Sequence, residues 1–160
     1  MPGPDDLRLE ADLKLFVGSE ADFFLRLWRA QCEGSGGREP LHWASVLAPI
    51  VWFLYRKMYL TAAALTIAPV IVSFVFHSDA LSKALPVALA VMGGMGPRIY
   101  VLCAQRTIAE IRGRGLSEEE ARATIVKAGG VSLPGAAIGA LIMVAALILS
   151  IVSFQIRKSG

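Results

Sequence analysis

The sequence predicts an all-α membrane protein, and three observations lead to that prediction. The chain is 55% hydrophobic, 18% charged against about 25% in ordinary soluble domains, and has a mean hydropathy of +0.57. Its apolar residues gather in long uncharged runs, and glycines and capping residues separate the runs, as at helix ends. We expect about three transmembrane helices, a short interfacial or re-entrant helix, and short cytoplasmic amphipathic helices.

The chain has a net charge of +3, and we interpret the excess of cations as a signal for the orientation of the protein in a membrane. Most cations lie beside apolar runs, where they act as topology signals, so nucleic acid is not an expected partner. Cys32 and Cys103 share no CxxC or metal-ligand spacing. We therefore expect neither a disulfide framework nor a zinc site, and interpret both cysteines as apolar fillers.

Residues 1–40 are predicted to form a tail and one amphipathic helix on the cytoplasmic side. Residues 1–18 carry scattered charge with little periodicity, which indicates a mobile tail. Ser19 and Asp22 have the spacing of a capping box, which would start a helix running to about residue 33. We expect its aromatic face to pack on the protein's own helices; that face comprises Phe23, Phe24, Leu27 and Trp28.

The segment 41–57 is predicted to be an interfacial or re-entrant helix. The twelve apolar or small residues from Trp43 to Leu54 contain Pro49. As a helix they reach only about 18 Å, against about 30 Å for the hydrocarbon core of a bilayer. We favour a segment that dips and returns, which leaves residues 1–40 cytoplasmic. A short span that places them outside is the alternative.

Three later runs are long enough to cross a bilayer. Residues 58–76 and 133–155 are uncharged and extend about 28 and 34 Å as helices. Residues 81–104 form the second predicted span, in which the glycines and Pro97 of GGMGPR at 93–98 predict a kink and close helix packing. The spans are therefore transmembrane helices 1, 2 and 3 in the order 58–76, 81–104 and 133–155.

Residues 105–130 are predicted to be a cytoplasmic helical segment. The polar continuation of the second span extends into water to about residue 114, and Ser117 with Glu120 then starts a helix that ends near Lys127. The stretch 98–127 holds six cations, so the positive-inside rule turns this side towards the cytoplasm. By the same rule the C-terminus emerges on the other side.

Three cations are candidates to contact lipid headgroups or acidic groups of a partner. Arg56 and Lys57 interrupt an apolar stretch between Leu41 and Phe76, and Arg98 follows Pro97 in the second span. Cations at such a boundary attract anionic lipids, and the three are expected to form one basic cluster. For Arg98 the alternative is that it only snorkels to the surface.

Four small residues of the third span are candidates for helix packing. Gly135 and Gly139 form a GxxxG motif, and Ala136 and Ala140 repeat its spacing. Small residues at this interval let another backbone approach closely. Packing within the chain and association with a partner or a second copy both remain open.

No catalytic, cofactor or metal site is expected. No pair of acids lies inside a span, and the sequence contains no GxSxG or HExxH motif. The GGMGPR stretch lacks the strand before it and the Lys-Ser or Lys-Thr ending of a phosphate-binding loop. We therefore do not expect an enzyme.

Several short motifs resemble the bacterial membrane proteins grouped as domain-of-unknown-function family 2628. The resemblance covers roughly residues 15–150, and WFLYRKMY at 52–59 is its most specific part. The other motifs are FVG at 16–18, the pair Phe23 and Phe24, Trp43 with Pro49, and the Gly-Pro-Arg-Ile-Tyr segment at 96–100. Pro97-Arg98 departs from the small polar residue expected there. The resemblance implies a small inner-membrane protein with a cytoplasmic N-terminal segment and no established activity.

These observations favour a non-enzymatic accessory, assembly or structural subunit of a larger complex in the bacterial inner membrane. The expected partners are membrane lipids and a membrane protein. A small transporter or channel component, or a lipid-binding membrane protein, is the alternative.

Overall fold

The computed structural model describes residues 4–34, 42–76 and 79–159, and every regular element in them is an α-helix. The all-α part of the predicted fold class is therefore confirmed. In chain order the helices are α1 (Pro4–Val17), α2 (Ala21–Cys32), α3 (Trp43–Leu47), α4 (Pro49–Tyr55), α5 (Tyr59–Phe76), α6 (Asp79–Gly113), α7 (Glu118–Ala128) and α8 (Leu133–Ser159).

The N-terminal segment is a packed helix where a mobile tail was expected. Leu13, Phe16 and Val17 of α1 are buried, and Leu9 packs against the same core. These four positions have the spacing of one helical face, and α1 contacts α2, α6 and α7 through it. Six charged residues from 5 to 14 obscured this periodicity in the sequence.

The second helix packs as predicted but begins differently. Its apolar face, with Phe24 and Trp28 buried, lies against α1 and α6. The expected capping box is wrong, because Glu20 is the residue at the N-cap, and no side chain caps the helix there. The Glu20 side chain instead accepts a hydrogen bond from Arg56.

Two short helices replace the single re-entrant helix predicted for 41–57. The chain breaks at Ala48, because the residue before Pro49 is disfavoured in the helical conformation. Both ends of the pair approach α2: the His42 ring lies 5.3 Å from that of Phe23, and Arg56 contacts Glu20. The start of α3 and the end of α4 thus both lie close to α2.

Two helical segments among the described residues are long and apolar enough to cross a membrane, Val87–Gly113 and Glu118–Ser153. The first is most of α6, which at 35 residues is about 52 Å long. The apolar part of the second is α8, 27 residues and about 40 Å long, because α7 begins with three acids. The apolar stretch of α5, Tyr59–Val72, is shorter, and residues 77–78, between α5 and α6, lie outside the described residues.

The helix after the second predicted span follows the prediction closely. Helix α7 begins with a complete capping box, in which Ser117 Oγ accepts from the Glu120 N–H and the Glu120 carboxylate accepts from the Ser117 N–H. It ends at Ala128. Ser132 then caps α8, since its Oγ accepts a hydrogen bond from the Gly135 N–H.

The hydrophobic core surrounds the second half of α6. Phe24, Phe53 and Tyr100 are its largest fully buried side chains, and the rings of Phe24 and Tyr100 are 4.9 Å apart. By contrast, α8 beyond its first turns stands clear of the core: Leu141, Leu147 and Leu149 are each more than 60% exposed. The fold therefore combines a packed helical base with long apolar helices that extend from it.

Candidate functional site at the base of the fifth helix

The turn between α4 and α5 brings Arg56 and Lys57 to the base of α5. The N–H of Lys57 donates to the carbonyl of Leu54 over 3.2 Å, and the N–H of Met58 donates to that of Phe53 over 2.8 Å. Together these bonds form a Schellman motif, which ends many helices. Lys57 has a φ of 59°, in the left-handed region where glycine is usual.

The Arg56 side chain is fully buried among aromatic rings. Its guanidinium carbon lies 4.7 Å from the centre of the Phe24 ring and 5.2 Å from that of Tyr100, within the range at which a cation is attracted to a ring face. Nη2 donates to the carboxylate of Glu20, which is half exposed. The side chain therefore faces inward and joins α2 to α6, so Arg56 is not part of an open basic surface, and its contact with a lipid or a partner stays a prediction.

Arg56 still has unused hydrogen-bonding capacity. Within the described part of the chain, no hydrogen bond of good geometry is formed by its Nε, its Nη1 or the hydroxyl of Tyr100, although that hydroxyl interacts with the guanidinium. Burial lowers the pKa of Arg56 from its usual value, but a guanidinium titrates so high that it keeps its charge near neutral pH. The site therefore holds a buried cation with donors left unpaired, which is costly without a compensating acceptor.

Lys57 is engaged within the chain. Its Nζ donates to the carbonyl oxygen of Gly129 over 2.6 Å and to that of Lys127 over 3.2 Å. Both carbonyls lie at the C-terminal end of α7, where the helix dipole favours a cation. Lys57 thereby fixes the end of α7 to the base of α5.

The connection between α7 and α8 holds the ends of two more helices. The N–H of Gly130 donates to the carbonyl of Phe16 at the end of α1, and the N–H of Ser132 donates to that of Tyr55 at the end of α4, each over 2.7 Å. A Cβ on Gly129 would lie 2.0 Å from the Phe16 carbonyl oxygen. This position therefore requires glycine for the close approach of α1.

A cavity of about 330 Å³ lies beside the turn. The first turn of α5, residues 58–61, lines it together with Tyr100, Cys103 and Thr107 of α6, and Arg56 and Lys57 belong to its wall. Its volume is at the low end of the range of ligand pockets, roughly 300 to 1,000 Å³. The two cations singled out by the sequence therefore belong to the wall of a small, partly open cavity.

Arg98 is separate from this site. It is exposed on α6, whereas Tyr100, two residues later, is buried beside Arg56. Residues two apart on a helix point in widely different directions. The three side chains differ in exposure, because Arg56 is buried, Lys57 is half-buried and Arg98 is exposed; the expected basic cluster of the three stays a prediction.

The glycines of the third predicted span lie against α4. A Cβ on Gly135 would be 2.4 Å from the carbonyl oxygen of Leu54, and one on Gly139 would be 2.8 Å from the Cα of Val51. Ala136 is half-buried and Ala140 is exposed. The GxxxG motif therefore packs within the chain.

A second pair of glycines, on α6, packs against α3 and α4 from the other side. A Cβ on Gly93 of α6 would lie 2.1 Å from the carbonyl oxygen of Ser45 in α3, and one on Gly96 would lie 3.1 Å from the Trp52 ring. The close packing predicted for the GGMG stretch is thus present. Helices α3 and α4 are held between α6 and α8 by glycine on both sides.

A network of charged side chains joins the helical base. Arg112 of α6 donates to both carboxylate oxygens of the buried Asp12 over 2.6 and 2.8 Å, and also to Glu118 over 2.7 Å. Glu118 further accepts from Arg8 and Arg122. Sequence reasoning missed these residues, because Asp12 and Arg112 are far apart in the chain and no local pattern pairs them.

The described residues contain no group of three or more histidine, cysteine, aspartate or glutamate side chains that could hold a metal ion. Cys32 is exposed and Cys103 is half-buried in the cavity wall, and neither forms a disulfide. Comparison with protein-family models, curated proteins and solved structures found no match.

Proposed function

We propose that the chain is a non-enzymatic accessory or assembly subunit of a larger complex in the bacterial inner membrane. One observation carries this proposal: the charged side chains that enter the interior of the described structure serve to join helices. Arg56 links α2 to α6, Lys57 caps α7, and Arg112 connects α1, α6 and α7. Such a distribution suits a rigid structural part better than a reaction centre, where perturbed acids and bases converge on a cleft.

The proposed topology has three spans, formed by α5, by the upstream part of α6, and by α8. It is supported by the contacts of α1 and α2 with α6 and α7, since these helices must then share one side of the membrane. The cations between 98 and 127 favour the cytoplasmic side for α1, α2, α7 and the downstream end of α6. In this arrangement α3 and α4 enter the bilayer and return.

Membership of domain-of-unknown-function family 2628 is part of the proposal. It rests on the block WFLYRKMY at 52–59, whose Arg56 and Lys57 form the turn that organises the base. A role of this turn in holding helices together is compatible with a family of small membrane proteins that has no established activity.

Two experiments test the proposal. Mild detergent extraction of native membranes, followed by sizing and crosslinking, is expected to recover the protein in a species much larger than 17.1 kDa together with a reproducible membrane-protein neighbour. A monomer without crosslinked neighbours would contradict the accessory role. Reporter fusions after residues 33 and 160 should report the cytoplasmic and the opposite side respectively, and the same side for both would exclude three spans.

A further inference from the structure

The cavity at the base of α5 contains donors that lack acceptors. Arg56 and Tyr100 both line it, and their side chains are almost entirely buried. Among the described residues, Arg56 Nε, Arg56 Nη1 and the Tyr100 hydroxyl form no hydrogen bond of good geometry, although the hydroxyl interacts with the guanidinium. Buried donors in proteins are nearly always satisfied by protein, water or ligand. Two guanidinium nitrogens without acceptors of good geometry, beside one small cavity, indicate an acceptor that enters it.

The start of α5 supplies further donors to the same cavity. The first N–H groups of a helix have no acceptor within it, and here they belong to Tyr59, Leu60 and Thr61, which all line the cavity. The preceding residue, Met58, has no side-chain oxygen with which to cap them. A helix N-terminus of this kind favours an anion, through both its N–H groups and its dipole.

The charge around the cavity is also suited to an anion. Arg56 and Lys57 lie in its wall, and none of the described residues that line it is acidic; Glu20, which is half exposed, forms an ion pair with Arg56. A phosphate or carboxylate would meet a guanidinium, an ammonium and uncapped helix N–H groups together. Arginine and lysine with a helix N-terminus are common elements of phosphate sites.

The surroundings of the cavity suit an apolar tail. Leu60 is 86% exposed and Tyr59 is 53% exposed, and they stand at the base of the apolar helix α5. A volume of about 330 Å³ accommodates a headgroup, so the hydrocarbon chains of an amphiphile would have to lie outside it, along α5. Tyrosine at such a position is typical of the membrane interface.

We propose that this cavity binds the anionic headgroup of a membrane amphiphile, with a phosphate held by Arg56, Lys57 and the first turn of α5, and with the tails lying against α5. The site is built from the chain's own residues and does not depend on any protein partner. It differs from a diffuse basic surface, because Arg98 takes no part in it.

The test uses the full-length protein in detergent and native mass spectrometry with phosphatidylglycerol or phosphatidylcholine. Phosphatidylglycerol should bind as one lipid per chain, at least tenfold more tightly than phosphatidylcholine. Thr61→Asp places a carboxylate in the first turn of α5, where it caps the N–H groups and repels a phosphate. This variant should retain the fold and lose at least tenfold in affinity for phosphatidylglycerol.

Ala63→Asp is the matched control. It adds the same charge to the same helix, but residue 63 is exposed and faces away from residue 61. It should bind phosphatidylglycerol as the natural protein does. Equal binding of the two lipids, or unchanged binding by Thr61→Asp, would overturn the proposal. Displacement of the lipid by inorganic phosphate at equal concentration would overturn the role of the tails and leave a site for free phosphate.

Discussion

Arg56 shows that a cation next to an apolar run does not reveal from the local sequence whether its side chain points to the surface or into the core. Next to an apolar run, a snorkelling arginine and one folded inward against aromatic rings give the same local pattern. What decides between them is Tyr100 and Phe24, which lie 44 and 32 positions away and supply the ring faces. The position of the site was therefore predictable from the sequence, whereas the burial of its cation was not.

Removing Glu20 should cost more free energy of unfolding than removing its ion-pair partner Arg56. Removing the carboxylate in Glu20→Ala leaves a buried guanidinium without a counter-charge, which should lower the free energy of unfolding by about 2 kcal/mol, less than in a fully buried pair because Glu20 is half exposed. Arg56→Met leaves only a carboxylate that water can reach, and should cost less. Chemical denaturation in detergent measures both, and a larger loss in Arg56→Met would contradict this account.

Lys57 combines an unfavourable backbone with a favourable side chain. Lys57→Met should lose the bonds to Gly129 and Lys127 while keeping the left-handed φ, and should lower the free energy of unfolding by about 1 to 2 kcal/mol. Lys57→Gly loses the same bonds but removes the cost of a left-handed φ at a residue with a Cβ, which is about 1 kcal/mol. Lys57→Gly should therefore denature at a higher denaturant concentration than Lys57→Met. The reverse order would argue against a strained turn.

At the scale of elements, the best predicted helices are those whose ends carry capping residues that can be recognised in the local sequence. Helix α7 lies between a capping box and a glycine, and its observed bounds, Glu118–Ala128, agree with the predicted start and length. Helix α1 was missed because its stabilising contacts come from α6 and α7, while its own charges mask the apolar face. Local signals mark helix ends; they do not reveal which distant surface a weakly patterned segment will cover.

The junction of α1, α6 and α7 should weaken in acid. Hydrogen bonds from Arg112, and then from Arg8, lower the pKa of Glu118 from 4.5 to about 2. Because the folded-state pKa lies below that of the unfolded chain, the stabilisation is present above pH 4.5 and is lost as the pH falls from there towards 2. Unfolding midpoints between pH 7 and pH 3 should show this decline, and Glu118→Gln should reduce it.

The exposed neighbour Glu119 provides the control for this pH dependence. Glu119→Gln removes the same charge from the same turn of α7 and should leave the acid-induced decline unchanged. An equal effect of both substitutions would mean that general charge, rather than the Arg112 junction, governs the response.

The contact between α4 and α8 should depend on Gly139. Gly139→Leu inserts a side chain where a Cβ already lies 2.8 Å from the Val51 backbone, so it should lower the free energy of unfolding by about 1 to 3 kcal/mol. Ala140→Leu, at the adjacent exposed position, should be nearly neutral. Denaturation of both variants in detergent gives the comparison. Equal stability of the two would show that α8 does not rest on α4 through this glycine.

At the scale of the whole molecule, the sequence predicted the all-helical class and the long apolar helices, because composition and run length are properties that need no partner. It could not predict that the charged N-terminal helices and the long apolar helices share one hydrophobic core. That core depends on pairs such as Asp12 with Arg112 and Phe24 with Tyr100, whose members are brought together only by the complete fold.

The position of Tyr100 has a consequence for the order in which the protein assembles during synthesis. The N-terminal helices leave the ribosome first, yet the α6 side chains that cover Phe24 and Trp28 follow more than 70 residues later. At a synthesis rate of about 5 to 20 residues per second, the apolar faces of α1 and α2 remain uncovered for several seconds. Residues 4–34 can therefore complete their packing only after the second half of α6 has been made, so that folding of the N-terminal helices comes late in synthesis.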